Sequence, residues 1–164
     1  MIIISPYSQK LKDGKPNCKN YPWWHLVVSG VKKYMVENKG IDIPFLQIGV
    51  NGEPEIPGID DFKKSLSLKD IEKLIKDCLT FASGDNFFHH LAWTLNKPGV
   101  VIFSRSDPKY YGHPGNINLL KDTKYLRPDP FGIWENCPYD EEAFISPDIV
   151  VHHLLRFVVG GEDG

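Results

Sequence analysis

Short apolar runs alternate along this chain with longer segments of mixed apolar and polar residues. Four largely apolar runs, at residues 1–4, 45–50, 79–82 and 100–103, have the length of buried β-strands. Each run is bounded by polar segments that contain glycine, proline or small hydroxyl residues, which are typical of turns. We therefore predict four buried strands. Further short strands are predicted at residues 117–120 and 125–126.

The segments between these runs carry helical patterns. Pro22 suits a first helical turn, and Gly40 suits a C-terminal cap. Ser67 followed by Asp70 resembles a capping box, which predicts a second helix with an apolar face from residue 68 onwards. Two further helices are predicted, at residues 86–96 and 146–158. The apolar face of the first helix is predicted to comprise Trp23, Leu26, Val27, Val31, Tyr34 and Met35.

This alternation of strands and helices indicates an α/β fold. Strands that are apolar throughout are typical of a sheet covered by helices on both faces, so we predict a single Rossmann-like, doubly wound domain with a mostly parallel sheet. The length of 164 residues suits one domain. We place that domain at residues 1–159 and expect residues 160–164 to form a disordered tail.

Composition and charge narrow the function classes. The formal net charge is −2, which carries no clear nucleic-acid signal. No run approaches the ~20 apolar residues of a membrane helix. The apolar opening is too short for a signal peptide, so a soluble, cytoplasmic protein is expected. Three cysteines without close pairing, Cys18, Cys78 and Cys137, indicate reduced structural thiols rather than a zinc site.

Three polar segments follow predicted strands, at residues 5–20, 83–86 and 104–108. Ligands of doubly wound sheets bind at the carboxyl ends of strands, so these segments are the candidate site. The segment at 83–86 precedes a helix, whose free N–H groups favour an anion, and His90 lies one turn into that helix. The alternative is that Asp85 is only an N-cap and that His90 packs against the sheet.

The paired histidines do not predict a metal site. His89 and His90 are adjacent, as are His152 and His153, and adjacent helical residues point about 100° apart, whereas residues i and i+4 share a face. We therefore expect no metal ligands and no cofactor.

Five short motifs occur in order along nearly the whole chain. They are Ile4-Ser5-Pro6, Lys19-Asn20-Tyr21-Pro22, Asp85 with His90-Leu91-Ala92, Ser104-Arg105-Ser106-Asp107-Pro108, and Phe144-Ile145-Ser146-Pro147. In content and order they resemble the C-terminal half of the heptosyltransferase-type glycosyltransferases (glycosyltransferase family 9-like), which have the two-lobed GT-B architecture. In that family this half holds the nucleotide-sugar donor.

The resemblance implies contacts between the donor diphosphate and five residues. These are Lys19, Asp85, His90, Ser106 and Asp107. The predicted loops add four further candidates, Ser5, Gly84, Ser104 and Arg105. The lobe that supplies the acceptor site and the catalytic base in the family is not expected within this chain. Asp13 and Asp107 are base candidates only because they lie in the predicted cleft loops.

Two departures from the family pattern bear on donor binding. Phe87 stands where the family has glycine, which removes room for a phosphate and restricts the backbone. Ser104 replaces the first glycine of the 104–108 loop. We therefore expect donor binding to be altered, weakened or lost.

Three functions follow from these patterns. The first is the donor-binding part of an inverting glycosyltransferase that acts with a partner chain or a second copy of itself. The second is a non-catalytic module that binds a nucleotide or nucleotide sugar. The third is an interaction protein that has lost the site, with a partner surface formed by aromatic residues between 110 and 144; the alternative for those residues is a local core beneath a long loop.

Overall fold

The computed structural model of the protein describes residues 1–160 and contains one six-stranded sheet. All neighbouring strands are parallel; Ile2, for example, pairs with Phe45 on one side and with Thr80 on the other. The strand order is β3-β2-β1-β4-β5-β6, as expected for a doubly wound sheet. The strands are β1 (Ile2–Ser5), β2 (Phe45–Gly49), β3 (Asp61–Lys64), β4 (Thr80–Gly84), β5 (Val100–Phe103) and β6 (Ile117–Leu120).

Helices cover both faces of this sheet. They are α1 (Trp24–Lys39), α2 (Leu68–Asp77), α3 (Phe87–Thr94), the short α4 (Pro108–Tyr111) and α5 (Pro147–Val159). On one face, α1 and α5 pack over inward side chains such as Ile2 and Ile4. On the other face, α2 and α3 pack over the intervening side chains, such as Ile3. Successive residues of a strand therefore pack into two separate hydrophobic cores, one on each face of the sheet. This is why the strands are continuous apolar runs in the sequence.

The start and the buried face of α1 differ from the prediction. The helix begins at Trp24 rather than at Pro22, although it ends at Gly40 in the left-handed conformation as expected (φ 65°). Leu26 and Tyr34 are exposed, whereas Trp24 is buried. The buried set is Trp24, Val27, Val28, Val31 and Met35. The sequence has two adjacent tryptophans and a wide apolar stripe, so it does not define which face of α1 is buried. Tertiary packing determines the buried face.

Two strand predictions were also incomplete. Strand β3 was not predicted, because its sequence is mostly polar; it lies at the edge of the sheet and pairs only with β2, through Leu46 and Asp61 among others. Residues 125–126 do not form a strand, since Tyr125 ends a single 3-10 turn over Thr123–Tyr125. The capping box was correct, as the Ser67 side chain accepts a hydrogen bond from the Asp70 backbone N–H.

The change in strand order lies between β1 and β4. Ser5 and Ser83 pair at the carboxyl ends of these strands, and the chain leaves β1 towards β2 on one side and β4 towards β5 on the other. In doubly wound sheets the loops diverge at such a point, and ligands bind in the crevice between them. The three polar segments identified in the sequence begin at this edge.

The other chain-wide expectations have mixed outcomes. The three cysteines are buried and free. Among the helices of the described residues, none combines the length and apolarity needed to cross a bilayer. The cytoplasmic location and the domain limits stay predictions, and residues 161–164 of the expected tail lie outside the described residues.

Candidate functional site

Asp85 is the centre of the site at the end of β4. Its Oδ2 atom accepts a hydrogen bond from the Ser106 hydroxyl at 2.8 Å and lies 3.6 Å from Lys19 Nζ. Its Oδ1 atom lies 3.2 Å from Nε2 of His89, one helical turn on. We call Lys19, Asp85, His89 and Ser106 the Asp85 cluster. It joins side chains from the loop after β1, the end of β4, helix α3 and the loop after β5.

The Asp85 carboxylate is buried yet ionised. Burial alone raises its pKa, but hydrogen bonds from His89 and Ser106 and the positive charge of Lys19 outweigh burial and lower the pKa below its usual value. The carboxylate therefore holds Lys19, whose side chain is only 14% exposed, at the carboxyl end of β4.

Asn86, not Asp85, caps helix α3. Its Oδ1 atom accepts a hydrogen bond from the Phe88 backbone N–H at 3.0 Å, and its Nδ2 group donates to the Ser5 carbonyl at 3.0 Å and to the Ser5 hydroxyl at 3.3 Å. The predicted site residue Ser5 is thus a buried anchor for the helix start. Phe87, in the position of the family glycine, is 56% exposed at the first residue of α3.

Gly84 and Ser104 support the loop that carries Lys19. A Cβ atom on Gly84 would lie 3.3 Å from the Lys19 carbonyl oxygen, so glycine permits a close approach of the two backbones. The buried Ser104 hydroxyl donates to the Cys18 carbonyl at 3.0 Å. Both residues therefore contact the protein's own backbone and support the loop that positions Lys19.

Arg105 and Asp107 have partners outside the Asp85 cluster. Arg105 Nη1 lies 3.8 Å from Asp140 Oδ2, and its guanidinium also interacts with the Cys137 thiol. Asp107 caps α4, accepting a hydrogen bond from the Lys109 backbone N–H at 2.8 Å. Asp107 is thus already engaged as a cap, which weakens it as a candidate base; Asp13 forms an ion pair with Lys15 at the surface.

Trp134 brings a third cation to the site, and the sequence did not predict it. Lys19 Nζ lies 4.6 Å from the centre of its indole ring, and the Arg127 guanidinium carbon lies 3.4 Å from it. These are cation–π contacts. The 126–140 loop therefore packs against Lys19 through Trp134, and it contributes Arg127 itself.

His90 contacts another histidine. Its Nδ1 atom lies 2.6 Å from Nε2 of His113, and the His113 ring stacks on Trp93 with 4.4 Å between centroids and 6° between planes. Burial, and then the neighbouring His89, lower the pKa of His90 to about 4, so its ring is neutral at pH 7. The sequence prediction missed His113 because 23 residues separate the two histidines.

The aromatic residues between 110 and 144 do not share one environment. Phe144 is buried in the core beside Tyr21, whereas Phe131 is 73% exposed and Tyr110 is 55% exposed. Part of this set is therefore local core, as the alternative interpretation expected, and part is surface.

A family model and three solved structures match this chain. The model of glycosyltransferase family 9 (heptosyltransferase) matches residues 64–122. E. coli ADP-heptose LPS heptosyltransferase II is similar, with a TM-score of 0.69, 17% identity, and coverage of 99% of this chain and 47% of that one. E. coli heptosyltransferase WaaC, solved with ADP, has a TM-score of 0.52, 14% identity, and coverage of 71% and 36% respectively.

The third structure is the dodecameric iron-containing heptosyltransferase TibC in complex with ADP-D-β-D-heptose. Its TM-score is 0.58 at 18% identity, over 89% of this chain and 35% of that one. A comparison with curated proteins found no match. The chain spans less than half the length of each of these three structures. The predicted resemblance is confirmed: the chain is similar to the heptosyltransferases of glycosyltransferase family 9 and has the all-parallel α/β fold of one lobe of these GT-B enzymes.

Proposed function

We propose that this chain binds the diphosphate of a nucleotide-sugar donor in the crevice at the carboxyl ends of β1, β4 and β5. The observation that carries this proposal is the position of Lys19, which Asp85 holds beside the start of α3 at the change of strand order. A cation and a helix N-terminus at one edge of a sheet form a favourable environment for phosphate.

The local charges support an anionic ligand. Three cations, Lys19, Arg105 and Arg127, lie on this side of the protein; Lys19 faces Asp85, and Arg105 faces Asp140. Nε of Arg105 and Nε of Arg127 are buried without hydrogen-bond partners within residues 1–160. Donors of this kind can contact phosphate oxygens, which makes a diphosphate a fitting ligand.

The same cations would support chemistry at the donor. Sugar transfer from a nucleotide sugar releases a diphosphate, and positive groups aimed at that leaving group stabilise the charge that develops on it. Transfer also needs a base for the acceptor hydroxyl. Since Asp13 and Asp107 are engaged elsewhere, we propose that the acceptor site and the base come from outside residues 1–160, from a partner chain or a second copy.

Nucleotide binding tests this proposal directly. Purified protein is screened by thermal shift against nucleoside diphosphates and their sugar conjugates, and the best ligand is followed by calorimetry. A ligand at 100 times its Kd should add about 2.7 kcal/mol of stability. That corresponds to a rise of about 5–10 °C for a domain of this size.

Lys19→Ala is the informative variant, and Lys15→Ala is its matched control. Both lysines lie in the loop after β1, but Lys15 is exposed and pairs with Asp13 at the surface. We expect Lys19→Ala to weaken nucleotide binding at least tenfold and Lys15→Ala to leave it unchanged. Equal affinities in the two variants, with both folded, would rule out a diphosphate site at Lys19.

A non-catalytic nucleotide-binding module is the second candidate function. Phe87 favours it, because an exposed aromatic ring replaces glycine at the start of α3, where the family resemblance implies close approach of the donor. The two functions differ in turnover. Release of nucleoside diphosphate from a bound nucleotide sugar, once a partner or acceptor is supplied, favours the transferase; tight binding without release favours the module.

A further inference from the structure

Three histidine rings meet beside helix α3. His89 and His90 are consecutive residues of that helix, and His113 lies in the loop between α4 and β6. One nitrogen atom from each ring lies within 4.8 Å of the other two. We call these residues the histidine cluster. Imidazole nitrogens are preferred ligands of zinc, copper and nickel, so three of them at this spacing is a chemically specific arrangement.

His89 has a free nitrogen in the protein interior. Its side chain is fully buried, and its Nε2 atom faces the Asp85 carboxylate. Because a carboxylate can only accept, the neutral ring carries its proton on Nε2 and leaves a lone pair on Nδ1. Within the described residues, Nδ1 has no hydrogen-bond partner. A buried nitrogen lone pair of this kind is costly unless a donor or a metal ion satisfies it.

The pairing of His89 with Asp85 resembles that of metal-binding histidines, whose second ring nitrogen donates a hydrogen bond to a carboxylate. A carboxylate that accepts from one ring nitrogen fixes the ring orientation and makes the other nitrogen a stronger ligand. Asp85 is itself held by Lys19 and Ser106, so it gives His89 one preferred orientation.

His90 and His113 are the other two members of the histidine cluster. With 2.6 Å between Nδ1 of His90 and Nε2 of His113, the two rings share one proton. The His113 ring also stacks on Trp93. A metal ion between the two rings would replace that shared proton, and each ring would then carry its proton on its other nitrogen.

We propose that His89, His90 and His113 bind a divalent zinc ion, with Asp85 positioning His89. Zinc–nitrogen bonds of about 2.0–2.1 Å require roughly 3.3 Å between two tetrahedral ligand atoms. The His90 and His113 nitrogens must therefore separate by less than 1 Å, which a half-buried loop residue such as His113 can do. A set of three histidines leaves a fourth position for water or a ligand.

This site does not depend on nucleotide binding. It assigns His90 to a metal ion, whereas the family resemblance implies a contact with the donor phosphate. Zinc binding is measured without nucleotide, and nucleotide binding is measured with a chelator present, so that either proposal can fail alone.

The test is a zinc titration of the full, metal-free chain by calorimetry. We expect one equivalent to bind, and the same site should take Co²⁺ with the visible absorption of a tetrahedral complex. His113→Ala should weaken zinc binding at least tenfold. Asp85→Asn should weaken it by about 10- to 100-fold, because it removes the carboxylate behind His89.

His152→Ala is the matched control, since His152 and His153 form the other pair of adjacent histidines on a helix, with His152 exposed and His153 half-buried on α5. Circular dichroism checks the fold of each variant. The proposal is overturned if zinc binding is lost in His152→Ala rather than in His113→Ala, if folded His113→Ala keeps the wild-type affinity, or if the wild-type chain binds no stoichiometric zinc.

Discussion

Asp85 and His89 are joined in the interior by a contact of 3.2 Å between Oδ1 and Nε2, one helical turn apart on the chain. The other oxygen of the same carboxylate faces Lys19 and Ser106. Asp85 therefore belongs to both proposed sites: it positions a cation for the donor diphosphate and a histidine for a metal ion. A substitution at Asp85 should affect stability, nucleotide affinity and zinc affinity together.

Asp85→Asn should destabilise the fold at neutral pH. It keeps the side-chain shape but removes the charge that balances Lys19, and breaking a largely buried ion pair costs about 3 kcal/mol. The pKa of Asp85 is lowered in the folded protein, so its contribution is present above the unfolded pKa and is lost as pH falls through the lower folded pKa. Urea unfolding at pH 7 should show a large difference between variant and wild type, and unfolding near pH 3 a smaller one.

The exposed Asp13→Asn is the control for that experiment, because its carboxylate pairs with Lys15 at the surface. A difference for Asp85→Asn that is the same at both pH values would show that the buried charge is not its source.

Ser106 and Ser104 offer a matched comparison within one loop. Both hydroxyls are buried and each donates one hydrogen bond, Ser106 to the Asp85 carboxylate and Ser104 to the Cys18 carbonyl. Either alanine variant should lose about 1–2 kcal/mol of stability. Only Ser106→Ala should also weaken nucleotide binding, because it loosens the carboxylate that holds Lys19. Parallel calorimetric titrations decide this, and equal losses of affinity would mean that the loop acts as a whole.

Much of the fold could be predicted because its signals are local. Four apolar runs and the short segment at residues 117–120 predicted five of the six strands, and the Ser67 capping box and Gly40 marked helix ends. Strand β3 was not predicted because its sequence, Asp61 to Lys64, is mostly polar. Its backbone pairing with β2, rather than an apolar pattern, makes it a strand. Such an edge strand carries no periodic signal.

The site was predictable only in part, for a similar reason. Motif resemblance identified Lys19, Asp85 and Ser106, which the structure brings into contact. The adjacent histidines were dismissed because neighbouring helical positions diverge, yet the side chains tilt until their ring centroids lie 3.9 Å apart. The third ring comes from His113, and only the tertiary fold brings that residue to α3.

Cys137 should be the most reactive of the three thiols near neutral pH. A hydrogen bond from the Cys18 thiol, followed by the guanidinium charges of Arg105 and Arg127, lowers the pKa of Cys137, while burial raises the pKa of Cys78. The thiolate is the nucleophile, so alkylation should label Cys137 first. Peptide mapping after iodoacetamide treatment across a pH series measures this order.

Arg105→Gln adds a test of the cause. Loss of one guanidinium should shift the alkylation profile of Cys137 to higher pH, and Lys121→Gln, a cation paired with Glu142, should not. Labelling of Cys78 ahead of Cys137 would contradict the proposed concentration of positive charge at this end of the crevice. A nucleotide bound at the cations should slow the labelling of Cys137.

Phe87→Gly should strengthen nucleotide binding if the crevice is a donor site. The change restores the family glycine at the first residue of α3, removes an exposed ring and frees the backbone for close approach of a phosphate. Glycine costs up to about 1 kcal/mol in a helix, so a slightly lower melting temperature is expected in the absence of ligand.

Phe87→Ala separates the two effects, because it removes the ring and keeps the backbone restricted. Tighter binding in both variants would identify the ring as the obstacle, and tighter binding only in Phe87→Gly would identify the backbone. Weaker binding in both would mean that Phe87 itself contacts the nucleotide. In that case the ring would be part of a binding surface of this chain's own, and the non-catalytic module would become the better description of its function.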